Sequence, residues 1–239
     1  MKMPKVHEDW TVLRHYPIEK LEENLWCVTG TLPGMGLKRV MTLVRLEDGR
    51  AVIHSATALD DESMSEIEAW GTPAALLVPN AFHRLDAPAF AARYPDMKVY
   101  CPRGGRKKIE EVVRVDGTYE DFDGEPTLTI GYLDGIAKAE AVLTVRSPTG
   151  TSLVFNDAFF NMPHGKGVAG FIFRHITAST GGPRVTRLFR WFAVKDKRAL
   201  ASHLTRLAET PDLKRIIVSH GRAITDDPAD ALLQAAGSL

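Results

Sequence analysis

The sequence predicts an α/β protein in which buried strands alternate with helices. Several runs rich in Val, Ile and Leu have the length and composition of strands that are buried on both faces. Acidic residues, glycines and prolines mark the helix ends between those runs. No linker, low-complexity stretch or close repeat interrupts the chain, so a single domain over residues 1–239 is the simplest organisation.

The first half of the chain is predicted to open with strands and then to alternate. The turn Glu47-Asp48-Gly49 separates two early strands. Acidic residues at 60–62 suit a helix N-terminus, and Gly71 with Pro73 ends that helix. The expected elements are a strand over 24–32, strands within 38–56, a helix over 61–70, a strand over 74–78, a helix near 86–94 and a strand over 97–101.

The second half follows a turn-rich span over 103–126. It is predicted to contain more strands than helices before a final strand and helix. Leu200, Leu204 and Leu207 lie on one face of the longest helix expected here. The expected elements are strands near 126–133, 139–147 and 151–157, a helix over about 196–209, a strand over 215–219 and a short helix over 227–237.

Composition and charge exclude the unusual classes of protein. A chain of 239 residues that is 44% hydrophobic and 25% charged is an ordinary globular protein with a sizeable core. Its formal net charge is zero, which argues against a nucleic-acid or anionic-membrane partner. No signal-peptide pattern and no run of about 18 apolar residues occurs. Cys27 and Cys101 are expected to be thiols, and a cytoplasmic location is expected.

Three of the predicted strands end in a side chain that can bind metal. They are LLVPNAFH (76–83), TSLVFND (151–157) and RIIVSHG (215–221). Ligands in layered α/β folds sit at the carboxyl ends of strands. The sequence therefore predicts that His83, Asp157 and His220 share one pocket.

The order of elements, together with four segments, resembles the metallo-β-lactamase superfamily. Those segments are NLWCVTGTLPG, EDGRAVIHSATALDDE, LVFNDAFF and IIVSHGRAI. The resemblance implies a four-layer αββα sandwich of two mixed sheets flanked by helices, with the active site where the sheets meet. It also makes Asp157 the counterpart of the bridging aspartate and His220 that of the last histidine.

The chain departs from the family at its diagnostic motif, His-x-His-x-Asp-His. In one register Asn80, Phe82, Arg84 and Leu85 replace all four ligands. In the other, which we favour, His83 takes the place of the last histidine, while Val78, Asn80 and Phe82 replace the other three. The family's middle histidine is expected within 133–138, where Asp134 is the only candidate substitute.

The remaining set of two imidazoles and one carboxylate suits Zn(II), Fe(II) or Mn(II) with open positions for water. Two alternatives stay open at this point. His83, Asp157 and His220 hold a single metal ion, or they form a metal-free relic in which the three groups hydrogen-bond one another.

Two further residues are candidates for a catalytic role. By resemblance, His54 occupies the place of an aspartate beside the metals, where it could be a fourth ligand or a general base. The competing interpretation is a histidine satisfied by backbone groups. Asn80 could donate a hydrogen bond to a substrate oxyanion, although an asparagine after proline more often caps a turn.

Three loop features have both functional and structural interpretations. The basic turn 103–108 could hold a phosphate, but lacks the P-loop spacing. His164 could reach the mouth of the pocket. The segment 162–194 is predicted to be a variable insertion or lid; 167–194 could be a homodimer face or a core helix. Its candidate anchors are Phe171, Phe173, Phe189, Trp191 and Phe192.

Two functions from different classes follow. The first is a metal-dependent hydrolase with at most one metal ion, in which Asn80 or His54 orients the substrate. The second is a non-catalytic, metal-free protein of the same fold that binds a small molecule or a protein partner. The sequence does not identify the small molecule.

Overall fold

A computed structural model describes residues 5–124, 126–164, 176 and 180–239, apart from the side chains at 35 and 36. The chain forms two compact units, residues 1–130 and 131–239. The strands are β1 (Glu19–Glu22), β2 (Leu25–Leu32), β3 (Met35–Arg45), β4 (Arg50–His54), β5 (Thr72–Leu77), β6 (Lys98–Cys101), β7 (Gly117–Thr118), β8 (Leu128–Tyr132), β9 (Ala141–Ser147), β10 (Gly150–Phe155), β11 (Phe160–Met162), β12 (Gly182–Arg184) and β13 (Leu213–Val218). The helices are α1 (Asp61–Trp70), α2 (Ala87–Arg93), α3 (Arg106–Ile109), α4 (Arg187–Phe192), α5 (Lys197–Ala208) and α6 (Pro228–Gly237).

The first unit contains a seven-stranded mixed sheet in the order β1-β2-β3-β4-β5-β6-β7. β1 to β4 pair antiparallel, whereas β4 to β7 pair parallel. The parallel step from β4 to β5 passes through α1, and the step from β5 to β6 passes through α2. This is the βαβ arrangement, in which strands buried on both faces read as continuous apolar runs.

Helix α1 shows how local sequence sets an element of this unit. The Asp60 carboxylate accepts a hydrogen bond from the Ser63 backbone N–H at 2.8 Å, which caps the helix N-terminus. Gly71 ends the helix. Met64 and Ile67, three residues apart on one face, are buried against the sheet core of this unit.

Both cysteines lie in the first unit and neither forms a disulfide, as the sequence predicts. Cys27 is on β2 and Cys101 is the last residue of β6, and both are buried. Burial raises the pKa of the Cys101 thiol to about 12. Cys101 is therefore protonated and unreactive at neutral pH.

The second unit contains a four-stranded mixed sheet in the order β13-β10-β9-β8. β10 pairs antiparallel with β9 and parallel with β13. Leu200 and Leu204 of α5 are buried in the same core as Leu232 and Ala235 of α6. A separate ribbon of β11 and β12 completes the described part of this unit.

The structure differs from the sequence prediction in the loop-rich ranges. The range 103–126 contains α3 and β7, and the range 180–192 contains β12 and α4; these elements of two to six residues are too short to show a periodic pattern. Phe171 and Phe173 fall outside the described residues. Among the helices that are described, none has the length and hydropathy needed to cross a bilayer.

Candidate functional site

In the first unit, the loop after β5 is shaped by Asn80. Its side-chain oxygen accepts hydrogen bonds from the backbone N–H groups of Phe82 at 2.8 Å and His83 at 3.2 Å. This is the turn-capping role that an asparagine after proline usually has. Asn80 therefore places His83, and its carbonyl oxygen is engaged within the loop.

The His83 side chain is oriented from the neighbouring strand end. Its Nδ1 lies 2.9 Å from the Ser55 Oγ, and His83 is buried. Ser55 directly follows β4, has a φ of 58°, and donates its backbone N–H to the Leu77 carbonyl at the end of β5. Because His83 Nδ1 is hydrogen-bonded to Ser55, the atom that His83 would present to a metal ion is Nε2.

His54 is 2% exposed, at the end of β4. Burial, with a smaller contribution from the charge of His83, lowers the pKa of His54 to about 3. Its Nδ1 has no hydrogen-bond partner among the residues that the structure describes, unlike a histidine satisfied by backbone groups. A neutral imidazole suits a ligand or a hydrogen-bonding role better than that of a base near neutral pH.

A buried cluster of charges lies under this loop and was missed from the sequence. The Asp86 carboxylate accepts hydrogen bonds from the Arg39 guanidinium and from the Ala58 backbone N–H, the latter at 3.2 Å. His7 Nδ1 lies 2.7 Å from the same carboxylate. Arg39 and Asp86 are only 2% and 1% exposed. No local signal identifies this cluster, because Arg39 and His7 are 47 and 79 residues from Asp86.

In the second unit, two parallel strands place Asp157 beside His220. β10 and β13 pair in register up to Phe155 opposite Val218, so the loops that follow leave the sheet at the same edge. The Ser219 Oγ donates to the Asn156 Oδ1 at 2.5 Å, which joins the two loops one residue before each candidate ligand.

The distance between the two candidate ligand atoms fits a shared metal ion. Asp157 Oδ1 and His220 Nε2 are 3.3 Å apart. A strong charge-assisted hydrogen bond is shorter, about 2.7–2.9 Å. Two atoms bound to one tetrahedral zinc ion at about 2.0–2.1 Å are themselves about 3.3 Å apart.

The backbone around His220 is held by β11. The Asn161 N–H donates to the His220 carbonyl at 3.3 Å, and the Arg222 N–H donates to the Asn161 carbonyl at 3.0 Å. Gly221 has a φ of 120°, and a Cβ there would lie 2.0 Å from the Asn161 carbonyl oxygen. Only glycine fits this close approach. The Phe160 ring packs on the His220 imidazole at 4.9 Å.

Two other predicted candidates are engaged elsewhere in the second unit. The Asp134 carboxylate forms an ion pair with Arg206, and the Asp134 backbone N–H donates to His203 Nδ1 at 2.9 Å. This use of its carboxylate does not favour Asp134 as a substitute ligand. His164 Nδ1 lies 3.0 Å from the Thr180 Oγ1.

The basic turn over 103–108 is largely neutralised by carboxylates. Arg103 pairs with Glu120 at 3.3 Å, Arg106 pairs with Glu110 at 2.7 Å and Lys108 pairs with Glu111 at 2.8 Å. These pairs favour a solvated loop over a phosphate site.

Comparison with solved structures identifies metallo-β-lactamases. DIM-1 metallo-β-lactamase exposed to ceftazidime shares 15% identity with this chain at a TM-score of 0.62, over 96% of this chain and 99% of that one. A metallo-β-lactamase of Erythrobacter litoralis with β-mercaptoethanol in its active site shares 17% identity at a TM-score of 0.61, over 93% of this chain and 96% of that one. A metallo-β-lactamase of Pontibacter korlensis shares 14% identity at a TM-score of 0.62, over 95% of this chain and 100% of that one.

No protein-family model and no curated protein matches the chain. The structural likeness extends over almost the whole of this chain and of each solved structure, so the chain has the metallo-β-lactamase fold. Both the predicted resemblance and the predicted fold class, with two mixed sheets and accompanying helices, are confirmed.

Proposed function

We propose that the protein is a metal-dependent hydrolase in which His83, Asp157 and His220 bind one divalent cation. The observation that carries the proposal is the 3.3 Å separation of Asp157 Oδ1 and His220 Nε2, since it matches the spacing of two ligands on one tetrahedral ion. Two imidazoles and a carboxylate form a donor set that suits Zn(II), Fe(II) or Mn(II).

The groups around the proposed ligands support this assignment. Ser55 holds His83 through Nδ1, and the Ser219–Asn156 hydrogen bond holds Asp157 next to His220. Metal sites in proteins need such partners to orient the ligands, and their loss usually weakens binding. No fourth ligand is required, because a catalytic site keeps an open position for water.

The chemistry proposed is hydrolysis of an ester, amide or phosphoester. A divalent cation held by His83, Asp157 and His220 would supply a bound water of lowered pKa. Asn80 or His54 then orients the substrate, Asn80 through its amide N–H and His54 through an imidazole that is neutral at physiological pH. The substrate is a small molecule whose identity the site does not specify.

A metal-free binding protein of the same fold is the second candidate. It is favoured by the loop after β5, where Val78 is buried and apolar, Asn80 caps the turn and Phe82 is exposed. In the register that we favour, these three residues replace ligands of the family, and we infer from this that the first of its two metal sites is lost. In this case the protein binds a small molecule or a protein partner without catalysis.

Metal analysis of protein purified without chelators or nickel resins separates the two candidates. The hydrolase is expected to contain about one Zn, Fe or Mn per chain, and His83→Ala and His220→Ala are expected to lose it. His203→Ala is the matched control, because His203 lies on α5 and bonds to Asp134. Metal-dependent turnover is then sought with chromogenic β-lactam, ester and phosphodiester substrates.

The opposite outcome has an equally clear meaning. No bound metal, together with no thermal shift on adding Zn(II), Mn(II) or Fe(II), refutes the hydrolase and leaves the binding protein.

Four features expected from the sequence stay predictions. They are a homodimer through 167–194, a lid over 162–194, a single domain and a cytoplasmic location. Trp191 and Phe192 are 67% and 76% exposed, which keeps that surface available for a partner.

A further inference from the structure

A cavity of about 360 Å³ lies entirely within the second unit, beside β12, α4 and α6. Its volume falls in the range of small-molecule sites, about 300–1,000 Å³. None of the proposed metal ligands lines it. The lining residues are Pro183, Arg184, Val185, Arg187, Arg190, Gln234, Ala235 and Ser238.

The charge of this cavity is strongly positive. Three arginines line it, and no aspartate or glutamate does. The segment 184–198, which supplies them, has six basic residues and one acidic residue in a chain whose net charge is zero. Guanidinium groups in one cleft repel each other, so a cleft of this kind is stabilised when an anion occupies it.

Arg184 lines this cavity without an acidic partner among the described residues. It donates to the Gly181 carbonyl, a neutral acceptor, at 2.8 Å. Arg190 donates to the Leu239 backbone oxygen at 3.0 Å. The Arg184 Nε is buried and has no hydrogen-bond partner there. On α6, the carboxylate of Asp230 is bonded to the Gln234 amide at 2.6 Å.

We propose that this cavity binds the phosphate group of a small molecule. Arginine forks match phosphate oxygens with paired, charge-assisted hydrogen bonds, and a terminal phosphate offers three strong acceptor oxygens. A carboxylate offers only two oxygens and a single charge, so it fits three guanidinium groups less well. Pro183, Val185 and Ala235 give the rest of the cavity an apolar wall for the organic part of the ligand.

The site is tested by calorimetric titration of the full chain with pyrophosphate, after dialysis against EDTA, at fixed ionic strength. The wild type is expected to bind saturably. Arg184→Gln and Arg190→Gln are each expected to weaken binding by about tenfold or more, since each removes charge-assisted hydrogen bonds to the phosphate oxygens. Arg184→Lys keeps the charge but loses the fork, and is expected to bind between these limits.

Two control variants test whether pyrophosphate binds in this cavity rather than elsewhere on the chain. Arg198→Gln removes an exposed arginine from the same basic segment but outside the cavity, and is expected to change affinity less than about twofold. His220→Ala is expected to bind pyrophosphate as the wild type does, which separates this site from the proposed metal site. No saturable binding by the wild type, or equal weakening by Arg198→Gln, overturns the proposal.

Discussion

The strand ends of the two units carry similar side chains but use them differently. After β5, the Asp86 carboxylate is hydrogen-bonded to Arg39 and His7 in a buried cluster. His83 is the candidate metal ligand that this loop contributes. After β10 and β13, neutral partners hold Asp157 and His220 side by side. The charges of the first region pair with one another, whereas the second region holds two side chains that we propose as metal ligands.

The largest expected effect comes from breaking the buried cluster of the first unit. Asp86→Asn leaves the Arg39 guanidinium buried without its charge partner, and is expected to lower the free energy of unfolding by about 3–5 kcal/mol. Urea unfolding measures the change. Glu68→Gln, which removes a partly exposed pair with Arg93, is the matched control and is expected to cost less than about 1 kcal/mol. Equal losses in the two variants would mean that the cluster is not stabilising.

The second prediction concerns pH and His54. The folded pKa is about 3, below the ordinary value of 6.5, so between these values the unfolded chain binds a proton that the folded chain excludes. Stability is therefore fully present above pH 6.5 and falls as the pH drops toward 3, by up to about 1.4 kcal/mol per pH unit.

His54→Gln removes this dependence and is expected to flatten the stability profile of the metal-free protein between pH 6.5 and 3. Denaturant unfolding at several pH values measures it, as a difference from wild type that cancels the contribution of the carboxylates. His203→Gln is the control: burial also lowers the pKa of His203, but that side chain is only partly buried. A profile unchanged in His54→Gln would show that His54 is not excluded from protonation in the folded state.

The third prediction tests whether His83 is oriented for a metal ion. Ser55→Ala removes the hydrogen bond to His83 Nδ1 and is expected to weaken metal affinity by about 10–100-fold. Competition with a chromophoric chelator measures the affinity. Ser65→Ala, an exposed position on α1, is the control. If Ser55→Ala binds metal as tightly as wild type, His83 is not held for that purpose.

The smallest effects distinguish the two regions most directly. Asn80→Ala removes the turn cap that places His83, and is expected to cost about 1 kcal/mol of stability with a smaller loss of metal affinity than Ser219→Ala. Ser219→Ala loosens the connection between the Asp157 and His220 loops, and is expected to weaken metal affinity. Urea unfolding and chelator competition on both variants measure the contrast. A loss of metal affinity in Asn80→Ala alone would reverse the assignment of the two regions.

The sequence predicts the fold well because long elements have strong patterns. The helix over 61–70 has the predicted bounds, since Asp60 and Gly71 define its ends locally. β10 and β13 are found as apolar runs, and strand-end reasoning therefore reaches Asp157 and His220. These signals are properties of neighbouring residues, and a single sequence contains them in full.

The sequence fails where the information lies in distant contacts. Ser55 is identified as the partner of His83 only once β4 and β5 are paired, because the two residues are 28 positions apart. The buried Arg39–Asp86 pair has the same origin. The cavity with its three arginines depends on α6 packing beside β12, and the spacing of arginines alone does not indicate that helix.

The burial of Cys27 and Cys101 gives the chain a built-in reporter. Both thiols lie in the first unit, and the second unit has no cysteine. A thiol reagent therefore reacts only when the first unit opens, and the reaction rate measures that opening alone. Set against an optical signal from the whole chain, this rate would tell whether the two units unfold together or one before the other.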